Sequence, residues 1–314
     1  MSIAKNLYLA YNSSTMMSLR KTSDKNTKIV CLRLANGWDG KVALYRACGD
    51  SFSQNGWAQC LSSPESLFDD VEKILKIGGQ NCVAVKNLKI KNNSIKAVIK
   101  RHYTGAGFRR FFRSLRKGRA LRNFKTALDL ISSGFPVATP FAALQQKRGL
   151  LTKQSIYISE YLSDSSDLHY FASKRLASTK PADRLLIKKQ LSHQIAAILA
   201  SLQKNGLWHR DSKASNFIVY KNAQDKHRIL LVDMDGIKRY VLRRRNRQFR
   251  CLWHLAASLI SVHDINLTDY WRTFTIYCDL TGIEHSQRRP LFRLLAKRAL
   301  AKRMRNMAAD VTSK

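Results

Sequence analysis

The stretch Trp208-His209-Arg210-Asp211-Ser212-Lys213-Ala214-Ser215-Asn216 places an acid, a cation and an amide within a few residues of one another. An apolar, strand-like run from Ile229 to Val232 follows and ends in Asp233-Met234-Asp235-Gly236. These residue types suit phosphoryl transfer, which depends on positioning and charge neutralisation more than on covalent chemistry. Asp211 would accept the proton of an attacking hydroxyl, and Lys213 would offset charge on the transferring group. Asn216 and Asp233 would hold Mg²⁺ against nucleotide phosphates. Asp235 reads either as a further metal or substrate contact or as a structural carboxylate.

The spacing matches H-R-D-x-K-x-x-N, the catalytic loop of protein kinases, and Asp233 stands where those enzymes carry the aspartate of D-F-G. Five specified positions make a chance match rare. Upstream, Lys96-Ala97-Val98-Ile99-Lys100 ends in V-I-K, close to the V-A-I-K lysine that reaches the α- and β-phosphates. Gly78-Gly79 lacks the full G-x-G-x-x-G pattern. Two readings stand for it: backbone N–H groups approaching phosphates, or an ordinary hairpin turn.

The elements that must position these residues follow from hydrophobic periodicity. Strand-like runs at Val71 to Ile77, Cys82 to Ile90 and Ile95 to Tyr103 are joined by segments short enough for hairpins, which predicts an antiparallel three-stranded meander. A helix is expected from about Arg109 to Ser132, ended by Gly134 and Pro136. Two more strands are expected at Val137 to Gln145 and Ser155 to Leu162, then a polar linker at Ser163 to Asp167 and a helix at Ala182 to Lys204. Before Val71, two runs, Lys28 to Leu34 and Lys41 to Ala47, flank a turn at Asn36 to Gly40. The division expected is therefore an extension of uncertain structure at 1–68, a β-rich lobe at 69–162 and a mainly helical lobe at 163–314.

Together these residues resemble the lipopolysaccharide kinase family, the Kdo and heptose kinases of Gram-negative inner-core assembly, within the protein-kinase-like superfamily. The resemblance runs from about Val71 to Ile260. Besides the catalytic loop it rests on Ser133-Gly134-Phe135-Pro136-Val137-Ala138-Thr139-Pro140, which is similar to that family's G-I-P-T-P segment. It rests also on Val232-Asp233-Met234-Asp235, similar to its I-D-F-D or I-D-L-D metal motif. It implies an α+β, protein-kinase-like two-lobed fold, with an antiparallel sheet and one long helix in the N-lobe and a mainly helical C-lobe. The implied reaction is ATP-dependent, Mg²⁺-assisted phosphorylation of a sugar hydroxyl on a lipid-linked core oligosaccharide. Asp211 and Lys213 would be catalytic, and Asn216, Asp233 and Asp235 would bind metal. Lys100, Gly78, Gly79, Glu160 and Leu162 would bind the nucleotide. The family's lysine-pairing glutamate is missing: the matching segment reads Arg122-Asn123-Phe124, and no Asp or Glu occurs between Lys100 and Leu128. Asn123 supplies a hydrogen bond but no charge, so a pseudokinase is the alternative.

Two features bear on the acceptor. A basic helical stretch starts near Arg245, soon after Asp235, and no A-P-E follows, which leaves little room for a peptide platform and favours a sugar or lipid-linked acceptor. The 314-residue chain carries 56 Lys plus Arg against 21 Asp plus Glu, a formal net charge of +35, which calls for an acidic partner. Three acid-free runs concentrate it: ten cations in Lys100 to Lys125, seven in Lys238 to Arg250 and eight in Arg288 to Arg305. Against an anionic inner-membrane surface each cation adds about 1 kcal/mol of attraction.

Composition excludes collagen-like, coiled-coil and low-complexity classes. No apolar run is long enough for a transmembrane helix, the longest candidate being Cys251 to His263. The first 23 residues read as a weakly ordered amphipathic lead, with a transit peptide as the alternative. Six cysteines without a C-x-x-C pair argue against a zinc site or a disulfide framework and fit a reducing cytoplasm, on the inner face of the membrane. A nucleic-acid binder would share the charge, but no RNP motif, zinc-finger spacing or basic zipper accompanies it, so no nucleic-acid partner is expected.

Overall fold

Strands that differ in burial, from wholly exposed at residues 73–78 to buried at 140–146 and 154–160, organise the first half of the chain. In the computed structural model, which describes residues 27–45, 53–78, 81–104, 118–240 and 249–312, the chain forms two compact units, Met1–Ser163 and Asp164–Lys314. Unit 1 holds, among the described residues, a seven-stranded antiparallel sheet in the order β1-β2-β6-β7-β5-β4-β3. Its strands are β1 (Thr27–Arg33), β2 (Trp38–Tyr45), β3 (Lys73–Gly78), β4 (Asn81–Ile90), β5 (Asn93–Tyr103), β6 (Pro140–Arg148) and β7 (Leu151–Glu160). On β5, Ile95, Ala97 and Ile99 are buried, so Lys96, Val98 and Lys100 face the other side of the pleat. The expected meander is present as β3-β4-β5, with Ile90 paired to Asn93 and Gly78 to Asn81.

Several boundaries differ from the sequence expectation. The described residues of the 1–68 segment do not stand apart: β2 pairs with β6, Trp38 opposite Gln146, and β1 completes the edge. The turn joining β1 and β2 uses Asn36 and Gly37 in the left-handed region (φ 55° and 74°). Helix α1 (Gln54–Cys60) starts at Ser53, whose Oγ accepts from the Gly56 N–H at 3.3 Å, and it buries Trp57 against Phe141. β6 begins at Pro140 rather than Val137, because a proline lacks the ladder donor and is accommodated at a strand start. β7 begins at Leu151 rather than Ser155, since Arg148 pairs with Leu151 across a two-residue turn whose Gly149 has φ 58°.

Helix α2 (Arg119–Ser132) is the described part of the expected 109–132 helix; residues 105–117 lie outside the described residues. It buries Ala120, Asn123, Phe124, Ala127 and Leu130, a three- and four-residue spacing that lays one face on the sheet. Gly118 offers no capping side chain, so the sheet supplies the acceptors: Gln145 Oε1 takes the Gly118 N–H at 3.0 Å and Ser155 Oγ the Ala120 N–H at 3.4 Å.

Unit 2 contains β8 (Ser166–Asp167), α3 (Pro181–Lys204), β9 (Leu207–His209), β10 (Phe217–Lys221), β11 (His227–Leu231), β12 (Ile237–Arg239), α4 (Arg250–Leu259), α5 (Leu267–Thr281) and α6 (His285–Thr312). α3 buries Ile187, Leu191, Ile195, Ile198, Leu199 and Leu202 and ends before Gly206 at φ 66°. α5 begins with a reciprocal capping box between Asn266 and Asp269. Asp269 also ties the helices together, pairing with Lys188 of α3 at 2.9 Å and Arg272 at 2.6 Å. Burial works to raise this carboxyl, but hydrogen bonds from Lys188, the Asn266 N–H and Arg272 outweigh it and hold it below the usual carboxylate range. α6 packs through Leu295 and Ala299, Phe292 meets Trp271 edge-on at 5.0 Å, and the Arg298 guanidinium lies 4.9 Å from the Trp253 ring. Among the described residues no helix is long and apolar enough to cross a membrane.

Candidate active site

Two short ribbons in unit 2 fix the ends of the catalytic-loop sequence. β9 pairs with β12, His209 opposite Ile237, and β10 pairs with β11, Phe217 opposite Leu231. The backbone between them is stitched further by Arg210 N–H to Gly236 O at 2.8 Å and Val232 N–H to Asn216 O at 2.9 Å. The second bond places the residue before Asp233 directly beside Asn216. Asn216, on a 3₁₀ turn (Ala214–Asn216), donates its Nδ2 to the Asp211 carbonyl at 2.6 Å. With the amide nitrogen committed there, its Oδ1 is the atom suited to a cation.

Asp211 and Lys213 are both half-exposed, and Lys213 Nζ lies 3.4 Å from Asp211 Oδ2. That exposure leaves both side chains accessible to a substrate. Asp233 adopts the left-handed backbone conformation (φ 63°, ψ 60°) as it enters the 3₁₀ turn Met234–Gly236. A non-glycine residue held in this region costs on the order of 1 kcal/mol, an outlier of the kind that clusters at functional sites. Asp235 sits half-buried on the same turn. Asn216 and Asp233 thus sit at neighbouring backbone positions, joined through the Val232 N–H to Asn216 O bond, and their side chains are oxygen donors of the kind Mg²⁺ takes. Among the described residues no three His, Cys, Asp or Glu side chains gather into a self-sufficient metal cage.

Residues that the sequence reading passed over hold this loop in place. His209 is fully buried, and its Nδ1 accepts the Asp211 N–H at 3.2 Å. Burial pushes the imidazole below its usual range, opposed by the nearby Asp233 and Asp211 carboxylates. Gly236 packs on the face of that ring: a Cβ there would lie 2.7 Å from Nδ1 and 2.9 Å from Nε2. From α4, the Cys251 thiol accepts the His209 N–H at 3.3 Å and donates to the His209 carbonyl at 3.4 Å. Ser212 Oγ donates to the Cys251 carbonyl at 3.0 Å, and Ser258 Oγ accepts the Ala214 N–H at 2.8 Å. One helix therefore grips the loop before, within and after Asp211. A half-buried Ser at 258 and a lone Cys at 251 carry no sequence motif; only Gly236, immediately after Asp-Met-Asp, could have suggested a close approach.

The expected nucleotide-side residues lie in unit 1. Lys100 is half-buried on β5, and Asn123 is 3% exposed on α2. Glu160 ends β7 and is buried; its Oε2 accepts from the Thr139 hydroxyl at 2.8 Å and from the Thr139 N–H at 3.3 Å, while its own N–H donates to the Thr139 carbonyl. Leu162 follows, half-buried. Gly78 lies on an edge strand exposed along its whole length, and a Cβ added there would meet nothing within 4 Å. Gly79 and the basic residues Arg243 to Arg245 lie outside the described residues, as do residues 105–117 of the acid-free run beginning at Lys100 and residues 241–248 of the one beginning at Lys238.

Comparison with known proteins agrees with this geometry. No curated protein matches the sequence. A solved structure described as WaaP in complex with acyl carrier protein aligns with a TM-score of 0.53 and 16% sequence identity, covering 76% of this chain and 92% of that one. At that identity the likeness is one of fold: an α+β architecture pairing an antiparallel sheet unit with a helical unit. The profile of the lipopolysaccharide kinase (Kdo/WaaP) family matches residues 86–277, from β4 through most of α5, which spans the lysine strand, the catalytic loop and the Asp233 turn. With more than half of its length matched, this chain belongs to the lipopolysaccharide kinase (Kdo/WaaP) family, and it is a kinase.

Proposed function

We propose that this kinase transfers the γ-phosphoryl group of ATP to a sugar hydroxyl, on Kdo or heptose, of a lipid-linked lipopolysaccharide core. The observation that carries this reading is the loop geometry of unit 2, in which Asn216 bonds to the Asp211 carbonyl at 2.6 Å, Lys213 pairs with Asp211 at 3.4 Å, and the Val232 N–H to Asn216 O bond at 2.9 Å brings in the left-handed Asp233. Asp211 orients the acceptor hydroxyl and takes its proton. Lys213, paired with Asp211, is close enough to follow the charge that develops on the transferring group. Asn216 and Asp233 would hold Mg²⁺, with Asp235 on the adjacent turn. When bound, the metal neutralises phosphate charge. In unit 1, Lys100 is the phosphate-contacting lysine, with Glu160 and Leu162 as nucleotide-side positions and Gly78-Gly79 as the turn nearest the phosphates. Cationic surface draws the protein to anionic lipid on the cytoplasmic face of the inner membrane, where such an acceptor is anchored.

Incubating the purified chain with ATP, Mg²⁺ and a panel of core lipopolysaccharides, followed by mass spectrometry of the core, tests the assignment. One added phosphoryl group on Kdo or heptose is expected. Transfer to a protein or a free small alcohol in preference to any core sugar would overturn it.

A further inference from the structure

The last helix offers a surface that catalysis does not use. α6 is anchored on its inner side by Leu295 and Ala299 and by Arg298 over Trp253. On its outer side, Arg293, Lys297, Leu300, Met304 and Met307 recur at alternating four- and three-residue spacing, which places them in one stripe. All five are exposed: Leu300 at 53%, Met304 at 70% and Met307 at 52%, with Leu294 beside them at 44%. From Arg288 to Ala309 the helix carries eight Lys or Arg and no acid.

We propose that the outer face of α6 docks on an anionic bilayer, with Leu300, Met304 and Met307 inserted at the level of the acyl-chain boundary and the flanking cations held at the headgroups. Long Lys and Arg side chains reach a headgroup while their stems lie along apolar surface, so the two residue classes on this stripe are satisfied together only at a lipid interface. A second copy of the chain would set eight cations against eight. Nucleic-acid phosphates would pair with the cations but leave the methionines and leucines in water. The inference rests on the lipid-linked acceptor proposed above and adds to general charge attraction a named, apolar contact.

The test uses the full chain with vesicles of phosphatidylglycerol and phosphatidylethanolamine, and with phosphatidylcholine vesicles as the uncharged control. A Met304→Ser/Met307→Ser variant keeps every charge and alters only exposed side chains. It is expected to lower partitioning onto the anionic vesicles about tenfold, while transfer to a delipidated, water-soluble core oligosaccharide stays at the wild-type rate. Met304→Leu/Met307→Leu is expected to restore partitioning. Unchanged partitioning of the serine variant, or wild-type partitioning that is equal on phosphatidylcholine, would overturn the proposal. So would tighter binding to a duplex oligonucleotide than to the vesicles, insensitive to the serine pair. Failure of the wild type to phosphorylate the soluble oligosaccharide counts instead against the kinase assignment, since no membrane contact enters that reaction.

Discussion

The catalytic loop of unit 2 and the lysine strand and glycine turn of unit 1 are built to different tolerances. Around Asp211, a buried imidazole, a glycine with no room for a Cβ and a helix contributing Cys251 and Ser258 fix the backbone over eight residues, from His209 to Asn216. At Gly78 the strand is an exposed edge with open space where a side chain would go. Groups that touch the reacting atoms need placement to a fraction of an ångström, whereas a turn covering phosphates through backbone N–H groups must leave room for a ligand to arrive. The contrast predicts that substitutions in unit 2 are punishing and substitutions at the unit 1 turn are mild.

The largest break should come at Asp233. Asp233→Ala removes the proposed metal ligand and is expected to lower turnover about 10³-fold, with a thermal midpoint close to wild type because the left-handed backbone is retained. Steady-state kinetics alongside thermal unfolding read both. Retention of near wild-type turnover would remove Asp233 from the metal site.

Next in size are the residues that hold the loop without touching substrate. Gly236→Ala forces a methyl against the His209 ring and should cost about 1–3 kcal/mol of stability, measured by denaturant unfolding. Cys251→Ala deletes both thiol hydrogen bonds to His209 and should lower kcat about tenfold with little change in the KM for ATP; Cys251→Ser should recover most of it. A pure KM effect would contradict a positioning role.

A pH measurement sharpens the same point. His254 on α4 is buried, and its Nε2 accepts from Arg250 Nε at 3.3 Å. Burial, with Lys302 and Arg250 nearby, pushes this imidazole down to about 4. Its pKa in the unfolded chain is near 6.5. Because the folded value is the lower one, the neutral form is favoured by folding: the contribution is full above about 6.5 and is lost as pH falls toward about 4. The thermal midpoint should decline across that window, and His254→Gln, which retains an acceptor but does not titrate, should flatten the decline.

On the unit 1 side the expected effects are smaller. Asn123→Glu adds the missing charge on α2 and should raise turnover or ATP affinity a few-fold; a damaging effect would show that the buried site beside the sheet has no room for a carboxylate facing Lys100. Gly78→Ala should change the KM for ATP by less than about twofold, since an added Cβ meets nothing within 4 Å, and a large loss would show that this strand end does grip phosphates.

Legibility followed the same division. Asp211, Lys213 and Asn216 could be singled out as candidates because the motif packs them into six residues, and Asp233 because it directly follows the next apolar strand; the structure brings their backbones together, Val232 N–H bonding to Asn216 O at 2.9 Å. The β3-β4-β5 meander was equally visible, since short connections, as between Ile90 and Asn93, and the alternating burial of β5 leave a local trace. What could not be read depends on contacts distant in sequence. Nothing local says that β2 will pair with β6, nearly a hundred residues later, so residues 27–45 looked detached. Cys251 lies 42 residues from His209, and its role exists only in three dimensions. The strand start at Pro140 is hidden from the sequence because Val137 and Thr139 are β-formers that precede a residue unable to donate.

The central claim, that the loop in unit 2 performs phosphoryl transfer to a core sugar, is tested most directly by one single-turnover measurement. Radiolabelled γ-phosphoryl transfer from ATP with Mg²⁺ to a Kdo- and heptose-bearing core acceptor is followed in wild type and in Asp211→Asn, a near-isosteric change that removes the proposed base. Label should appear on the core sugar with wild type, and the Asp211→Asn rate should fall by about three orders of magnitude with ATP binding intact. Transfer by Asp211→Asn at the wild-type rate would contradict the account.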